Sequence, residues 1–374
     1  MARARDDDAC PGALRTHRAA DGELARIRLP GGMITAAQLD ALALAAIDHG
    51  SPALELTSRG NIQIRALHDP AAVAAAIEAV GLLPSTDHER VRNIVASPLS
   101  GRRDGLCDVR GLVGDLDTAL QRDPRLTTLP GRFLFGIDDG RGDVSGLGAD
   151  AGVHAVDGAT AALLLAGRDT GVRIPTSDTV AALLDIAHRF TETRGKAWRV
   201  SELDDTSGLI AGLSPSGPPV VIPSGYTRPP VGWIEQDDGR ICLGAAVPLG
   251  VLDAGVARYL AAVGAPLAVT PWRSVLLFDL DDDVADVALR VLAPLGLVFD
   301  ENSRWLSLSA CTGSPGCANS LADVRADAAA ALDDPVPGGT HRHFVGCDRA
   351  CGSPADGEVL VATGEGYRAR DAHP

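Results

Sequence analysis

The sequence predicts an α+β fold in which two copies of one strand–helix–strand–strand–helix unit pair into a single domain, accompanied by two further α/β modules. Three observations predict it. Residues 22–81 and 238–298 run through the same order of elements, as a duplicated unit would. The stretch between them follows a different alternation of strands and helices. After the second copy, four of the seven cysteines stand in two close pairs, Cys311/Cys317 and Cys347/Cys351.

The first copy opens with an extended segment, Glu23–Leu29, whose apolar members are Leu24, Ile27 and Leu29. Pro30-Gly31-Gly32 breaks it. Thr35 is placed to cap a helix with Leu39, Leu42, Leu44 and Ile47 on its apolar positions, and Gly50 ends that helix. Short strands Ala53–Leu56 and Ile62–Leu67 flank the loop Thr57-Ser-Arg-Gly-Asn61. Asp69-Pro70 starts a second helix that stops at Gly81. The second copy repeats the order: a strand from Asp238-Gly239 to Val247, a break at Pro248-Leu-Gly250, a helix near Leu252–Val263, strands Leu267–Val269 and Val275–Leu280, and a helix Asp281–Leu292. Thr57-Ser-Arg59 aligns with Thr270-Pro-Trp-Arg273, with Trp272 in the place of the first-copy serine. Each copy is half of a ferredoxin-like fold. Alone it leaves an open sheet edge, so the two halves are expected to complete one domain from distant parts of the chain.

The expected boundaries are 15–84 for the first half-domain, 85–213 for a central α/β module, 214–230 for a linker, 231–299 for the second half-domain and 300–374 for the cysteine module. The central module reads as a helix near Leu112–Arg122, a strand Arg132–Asp138, strands around Val153–Val156 and Ala161–Leu165, and a helix near Thr179–Arg194. Ser214–Pro230 is rich in Pro, Gly and Ser, the composition of a connection. The glycines of Gly140–Gly148 are too irregular for a dinucleotide fingerprint and read as a loop.

Composition narrows the function. Hydrophobic residues make up 45% of the chain and aromatics 3%, so the cores are built from Ala, Leu and Val, and no stacking platform for single-stranded nucleic acid is available. A net charge of −15 argues against DNA or anionic membranes as partners. An anionic substrate therefore needs a local group of arginines. No apolar run reaches the length of a membrane span and the first residues lack an apolar signal segment, which points to the cytoplasm and to reduced thiols.

Four thiolates in two close pairs can hold a 4Fe-4S cube, since each iron takes one protein sulfur. The Gly/Pro-rich loop between Cys311 and Cys317 can turn its N–H groups toward sulfur. The Ala-rich stretch Ala318–Leu332 is expected to be a helix whose positive N-terminal end faces the cluster. Two readings compete on spacing: zinc, which suits Cys347/Cys351 but not the wider Cys311/Cys317 pair, and inert or disulfide-bonded thiols. His341 and His343 alternate on a strand leading into Cys347, and a face with two histidines is expected to be solvent-exposed. Cys10, Cys107 and Cys242 have no partner at ligand spacing.

The order of repeat, central module, repeat and cysteine module resembles the nitrite/sulfite reductase superfamily. The likeness covers most of the chain. Leu56-Thr-Ser-Arg-Gly-Asn-Ile-Gln-Ile-Arg65 is similar to that superfamily's Thr-Arg-(Gln/Gly)-Asn segment, Val91-Arg-Asn-Ile94 to its Arg-Asn-Val segment, and Leu129-Pro-Gly-Arg-Phe133 to its Leu-Pro-Arg-Lys-Phe segment. The resemblance implies two α/β modules of the nitrite/sulfite reductase type beside the ferredoxin-like repeats. It also implies that Cys351 would bridge cube and siroheme iron in a reductase. Within the superfamily, Asp8-Ala-Cys10-Pro11-Gly12 and Asp21-Gly…Leu29-Pro-Gly-Gly32 resemble the precorrin-3B synthase branch. Leu134 stands where the reductases carry a second lysine on the same strand face, which weakens a site for sulfite or nitrite.

What that branch implies is an oxygen-dependent hydroxylation of precorrin-3A at C20, with closure of a γ-lactone, in cobalamin biosynthesis. It implies a 4Fe-4S cluster on Cys311, Cys317, Cys347 and Cys351, a mononuclear non-haem iron with unassigned ligands, and an external electron donor, NADH-linked or of the ferredoxin type. The substrate's carboxylates suit planar guanidinium forks, and Arg59, Arg65, Arg92 and Arg132 are the expected binders. Asn61 and Asn93 are expected to stabilise turns. The rival functions are a siroheme-dependent nitrite or sulfite reductase and a non-catalytic tetrapyrrole-binding or electron-transfer protein.

Overall fold

The computed structural model describes residues 8, 10–222, 228–334, 340–354 and 357–370. The N-terminal Met1–Asp6 and the middle of the expected linker, 223–227, lie outside the described residues. The chain forms two compact units. One gathers the described parts of 1–15, 27–33 and 81–224, and the other those of 16–26, 34–80 and 225–374.

The second of these holds both repeats and the cysteine module. The first repeat contributes the sheet His17–Ala19, Gly22–Ile27, Ile62–Leu67, Ala53–Leu56, in that order. The second contributes Gly232–Glu235, Ile241–Ala246, Ser274–Leu280, Leu267–Val269. Each sheet then gains a fifth strand from the other repeat. Val251–Asp253 joins the first sheet beside Ala53–Leu56, with Leu252 opposite Leu54, and Met33–Ile34 joins the second beside Leu267–Val269. The exchange pairs an edge that each half would leave open. Neither exchanged strand was expected from the sequence. The helix predicted to begin near Leu252 begins instead at Ala254, because the Asp253 carboxylate accepts from the Val256 N–H at 3.1 Å and fixes the start there.

Helix Ala36–His49 is closed at its start by a reciprocal cap between Thr35 and Gln38. Its buried face is Leu39, Leu42, Ala43, Ala45 and Ala46, and it packs on helix Ala254–Ala262. Leu44 and Ile47, expected on the apolar face, are exposed. Alanines fill the contact because only small side chains fit between closely packed helices.

The two turns between the sheet strands share one hydrogen-bond pattern. Thr57 N–H donates to Asn61 O and Thr270 N–H to Ser274 O, both at 2.9 Å. The threonine hydroxyl accepts from the N–H two and four residues on: Arg59 and Asn61 in one copy, Trp272 and Ser274 in the other. Gly60 and Arg273 each donate to the threonine carbonyl at 3.1 Å. The structural alignment is therefore Arg59 with Trp272 and Gly60 with Arg273. The sequence alignment of Trp272 with Ser58 was off by one residue.

The cysteine module is a sheet of three parallel strands, Leu308–Ala310, Arg342–Val345 and Glu358–Thr363, edged by antiparallel Gly366–Ala369. Ser309 lies opposite His343 and Ala310 opposite Phe344. The helix expected over Ala318–Leu332 is confined to Val324–Ala330. Before it, Ser320 Oγ donates to Ala322 O, Leu321 N–H to Gly346 O, and Asp323 caps the helix through Ala326 N–H. These local bonds turn the chain away from helix. No helix N-terminus starts at Cys317.

In the other unit the sheet order is Arg168–Pro175, Thr160–Leu165, Ala151–Ala155, Phe135–Asp138, Ile94–Ala96. Helices Arg110–Arg122 and Thr179–Thr193 cover it, and Phe133, Phe135 and Phe190 meet in its core with ring centroids 5.0 and 5.1 Å apart. The strand expected from Arg132 starts only at Phe135. Arg132 is exposed and Leu134 is buried among Val95 and Ala149, so the two do not share a strand face.

Candidate functional site

Cys311 follows one strand directly and Cys347 follows its parallel neighbour after Gly346, so the topology delivers both to the same end of the sheet. Cys311 N–H donates to Phe344 O, which fixes that register at the strand end. Cys317 comes back on the loop after Cys311, its N–H bonded to Gly313 O at 2.8 Å. Cys351 follows a turn closed by Ala350 N–H to Cys347 O at 3.1 Å. All four cysteines line one cavity of about 360 Å³. None is in a disulfide. The Cys351 thiol lies above its ordinary pKa, first through partial burial and then through the nearby sulfurs of Cys311, Cys347 and Cys317.

The surroundings of the cavity fit a negatively charged polynuclear cluster. Gly346 N–H donates to Cys311 Sγ at 3.4 Å. Arg18, Arg65 and Arg349 share the lining, a cationic rim in a chain of strongly negative net charge. A single zinc ion would need its sulfurs drawn in to about 2.3 Å from one point. Among the described residues, no three His, Cys, Asp or Glu side chains converge on one such point. Nor, among the described residues, does such a set stand ready for a mononuclear non-haem iron.

Arg65 is where the repeat domain grips the cysteine loop. Its Nε and Nη2 bond both carboxylate oxygens of Asp21 at 3.0 and 2.9 Å, and Nη2 also donates to Gly316 O at 2.8 Å. Gly316 is the residue before Cys317. Glu55 approaches Arg65 at 3.8 Å and pairs with Arg325 of the cysteine module at 2.7 Å. The fork expected to bind substrate carboxylate is engaged by Asp21.

His341 and His343 are buried, not exposed as expected. Both ring systems bond Ser309 Oγ at 2.7 Å, through His341 Nε2 and His343 Nδ1, and His343 Nε2 lies 3.0 Å from Cys351 O. Burial lowers their pKa values to about 4 and about 3, with nearby Arg273 adding to the shift, so both rings are neutral at pH 7. Strand alternation does put both on one face, but that face is covered.

Arg59 sits half-buried on its turn in this unit. Arg92 and Arg132 belong to the other unit. Arg92 is buried and makes a bidentate pair with Asp117 at 2.6 and 2.8 Å. Arg132 is exposed, its guanidinium 5.3 Å from the centre of the Trp198 ring. Asn93 Nδ2 donates to Arg90 O and to Gly131 O, at 3.0 and 2.9 Å, which ties the Val91-Arg-Asn segment to the Leu129-Pro-Gly-Arg segment. The N-terminal segment is strapped over the same loops. Glu89 accepts the N–H groups of Ala13, Leu14 and Arg15, Asp8 accepts that of Arg132, and Arg28 Nη2 donates to Cys10 Sγ and Pro11 O. Glu89, Asp8, Asp21 and Ser309 escaped sequence reasoning, because their roles depend on partners tens to hundreds of residues away.

Residues 16–80 match the family described as nitrite/sulfite reductase ferredoxin-like half domain. Over 96% of its length it is similar, at 27% identity, to a precorrin-3B synthase of Sinorhizobium, of which 81% is covered. A ferredoxin–nitrite reductase of Synechococcus elongatus is 35% identical over 32% of the chain and 25% of its own length. A ferredoxin-type sulfite reductase of Mycolicibacterium paratuberculosis is 23% identical over 80% of the chain and 60% of its own length. In fold, the chain is similar to the NirA protein of Mycobacterium tuberculosis, with a TM-score of 0.76 at 19% identity, over 93% of this chain and 73% of that one. The half domain explains the βαββα unit, and NirA the architecture around it. Among the described residues, no helix is long and apolar enough to cross a membrane.

Proposed function

We propose that the chain is an oxidoreductase of the precorrin-3B synthase type, hydroxylating precorrin-3A at C20 with O2 and forming the γ-lactone, in cobalamin biosynthesis. The observation that carries the reading is the convergence of Cys311, Cys317, Cys347 and Cys351 on one cavity, in a chain similar along its length to a precorrin-3B synthase. Those four thiolates would hold a 4Fe-4S cluster, which when bound supplies electrons one at a time. One oxygen atom of O2 enters the product. The other leaves as water, taking two electrons and two protons from an external donor.

The chain's own residues hold this site in shape. Arg65 fixes the loop bearing Cys317 through Gly316 O. Gly346 N–H offsets charge on the Cys311 sulfur. The buried Ser309 and His343 brace the carbonyl of Cys351 from beneath. Arg59, on the same unit as the four cysteines, is the proposed cation for the substrate carboxylates. Arg65 already serves Asp21 and acts as a positioning residue, and Arg92 is engaged by Asp117.

The test is anaerobic purification, measurement of iron and sulfide, and incubation with precorrin-3A, reductant and labelled O2, read by mass spectrometry. Gain of one labelled oxygen supports the reading. Unchanged substrate with an intact cluster refutes it. The reductase names among the relatives favour siroheme chemistry as the second reading. Intense visible bands would select it over the broad brown absorption of a cube.

A further inference from the structure

The second repeat carries an arginine where the first carries a glycine. Gly60 has φ +65° and Arg273 has φ +58° on the same turn, a left-handed backbone that favours glycine. A large side chain kept there against that preference points to a task for the side chain.

Two glycines mark its course. A Cβ on Gly250 would lie 2.5 Å from Arg273 Cδ, and a Cβ on Gly352 would lie 3.1 Å from Arg273 Nη2. Gly352 follows Cys351 directly. A Cβ there would also lie 3.7 Å from His343 Cε1, the ring whose Nε2 bonds Cys351 O. Arg273 therefore crosses from the repeat turn to the Cys351–Gly352 corner of the cysteine cavity. The two glycines give it the room.

We propose that Arg273 is a positioning residue that places a positive charge at the Cys351 corner, stabilising the more negative, reduced state of a cluster held by the four cysteines and so raising its reduction potential. The inference rests on the cluster reading given above. The lever is electrostatic: net charge and hydrogen bonding around the sulfurs set the potential of such centres.

The experiment is a redox titration of the reconstituted full chain, followed by electron paramagnetic resonance, for wild type, Arg273→Gly and Arg273→Lys. Arg273→Gly copies Gly60 and keeps the turn unstrained. The expected result is a midpoint shifted to more negative potential in Arg273→Gly and held near wild type in Arg273→Lys. An unmoved midpoint in Arg273→Gly overturns the inference, as does an equal fall in both variants. Should Arg273→Gly fail to retain iron, retention in Arg273→Lys supports a charge role and loss from both overturns it. Wild-type protein that takes up no iron and sulfide sinks the cluster reading and this inference with it. That result is distinct from a bound cluster whose potential does not move.

Discussion

Replacing Arg65 by alanine removes the link between the repeat sheet and the cysteine loop, and its cost can be worked out from three hydrogen bonds. Two go to Asp21, at 3.0 and 2.9 Å, and one to Gly316 O at 2.8 Å. The Arg65 and Asp21 side chains are 9% and 23% exposed, so the pair is mostly removed from water. Breaking a buried pair by deleting one partner costs roughly 3–5 kcal/mol, and the partial exposure of Asp21 puts this case at about 3 kcal/mol. The lost bond to Gly316 O adds about 1 kcal/mol. A loss of about 4 kcal/mol is a large part of the roughly 5–15 kcal/mol that holds a domain together. The assay is urea unfolding of Arg65→Ala, Asp21→Ala and the double variant, each without cluster. The two single losses should exceed additivity by about 1.5–3 kcal/mol, the value of a charge-assisted bond. Arg65→Lys should recover only part, since one ammonium cannot form the fork. Iron content after reconstitution should fall in Arg65→Ala because Gly316 no longer holds Cys317 in place. A destabilisation under about 1 kcal/mol, or losses that simply add, would refute the reasoning.

Serine at any one of Cys311, Cys317, Cys347 or Cys351 should remove the brown absorption and most bound iron; full iron and sulfide in all four variants would show the ligands to lie elsewhere. Asn93→Ala should cost about 2 kcal/mol in chemical denaturation, because the carbonyls of Arg90 and Gly131 lose their donor in a buried place. Asp143 has its pKa pushed up to about 7 by burial and by the Asp138 carboxylate, against a hydrogen bond from Ser97 and the charge of Arg141. The folded state therefore keeps a proton that the unfolded chain releases near pH 4, and stability falls as pH rises from about 4 to about 7. Asp143→Asn should remove that slope, stabilising the protein by up to about 4 kcal/mol at pH 8 and by nothing below pH 4, as thermal unfolding across pH would show.

What could be read from the chain was what local pattern encodes. Strands Ala53–Leu56, Ile62–Leu67 and Leu267–Val269 stand at their expected residues, because flanking turn residues and alternating apolar side chains mark both ends. The pairing of the two repeats was legible as a need, an open edge. The means was not: Met33–Ile34 and Val251–Asp253 are two and three residues long, too short for any periodicity, and become strands only beside the other repeat. The site divides the same way. Cysteine spacing marked out the four residues that line one cavity, because the close pairs are local. The engagement of Arg65 by Asp21, and of Arg92 by Asp117, was hidden, since carboxylates 44 and 25 residues away leave no mark on the motif. The histidine pair failed through a base expectation, that strand histidines face water, which the covering cysteine segment overrides.

The two equivalent turns also decide how far the pseudo-symmetry extends into function. A polyacid clasped alike by both repeats would need a cation at the third position of both turns. Arg59 supplies one in the first. The second has Trp272 there, and its arginine stands one place later, on the left-handed residue. The backbone hydrogen bonds are the same, so the difference is not a distortion of the turn; it lies in which residue each position carries. Moving the guanidinium by one residue moves it from an ordinary backbone conformation to one that sends it past Gly250 toward Gly352. The two copies thus share the turn's scaffold, and on the readings proposed above the one-position displacement of arginine turns the second copy's cation toward the Cys351–Gly352 segment, where the first copy's Arg59 is the proposed binder for carboxylates.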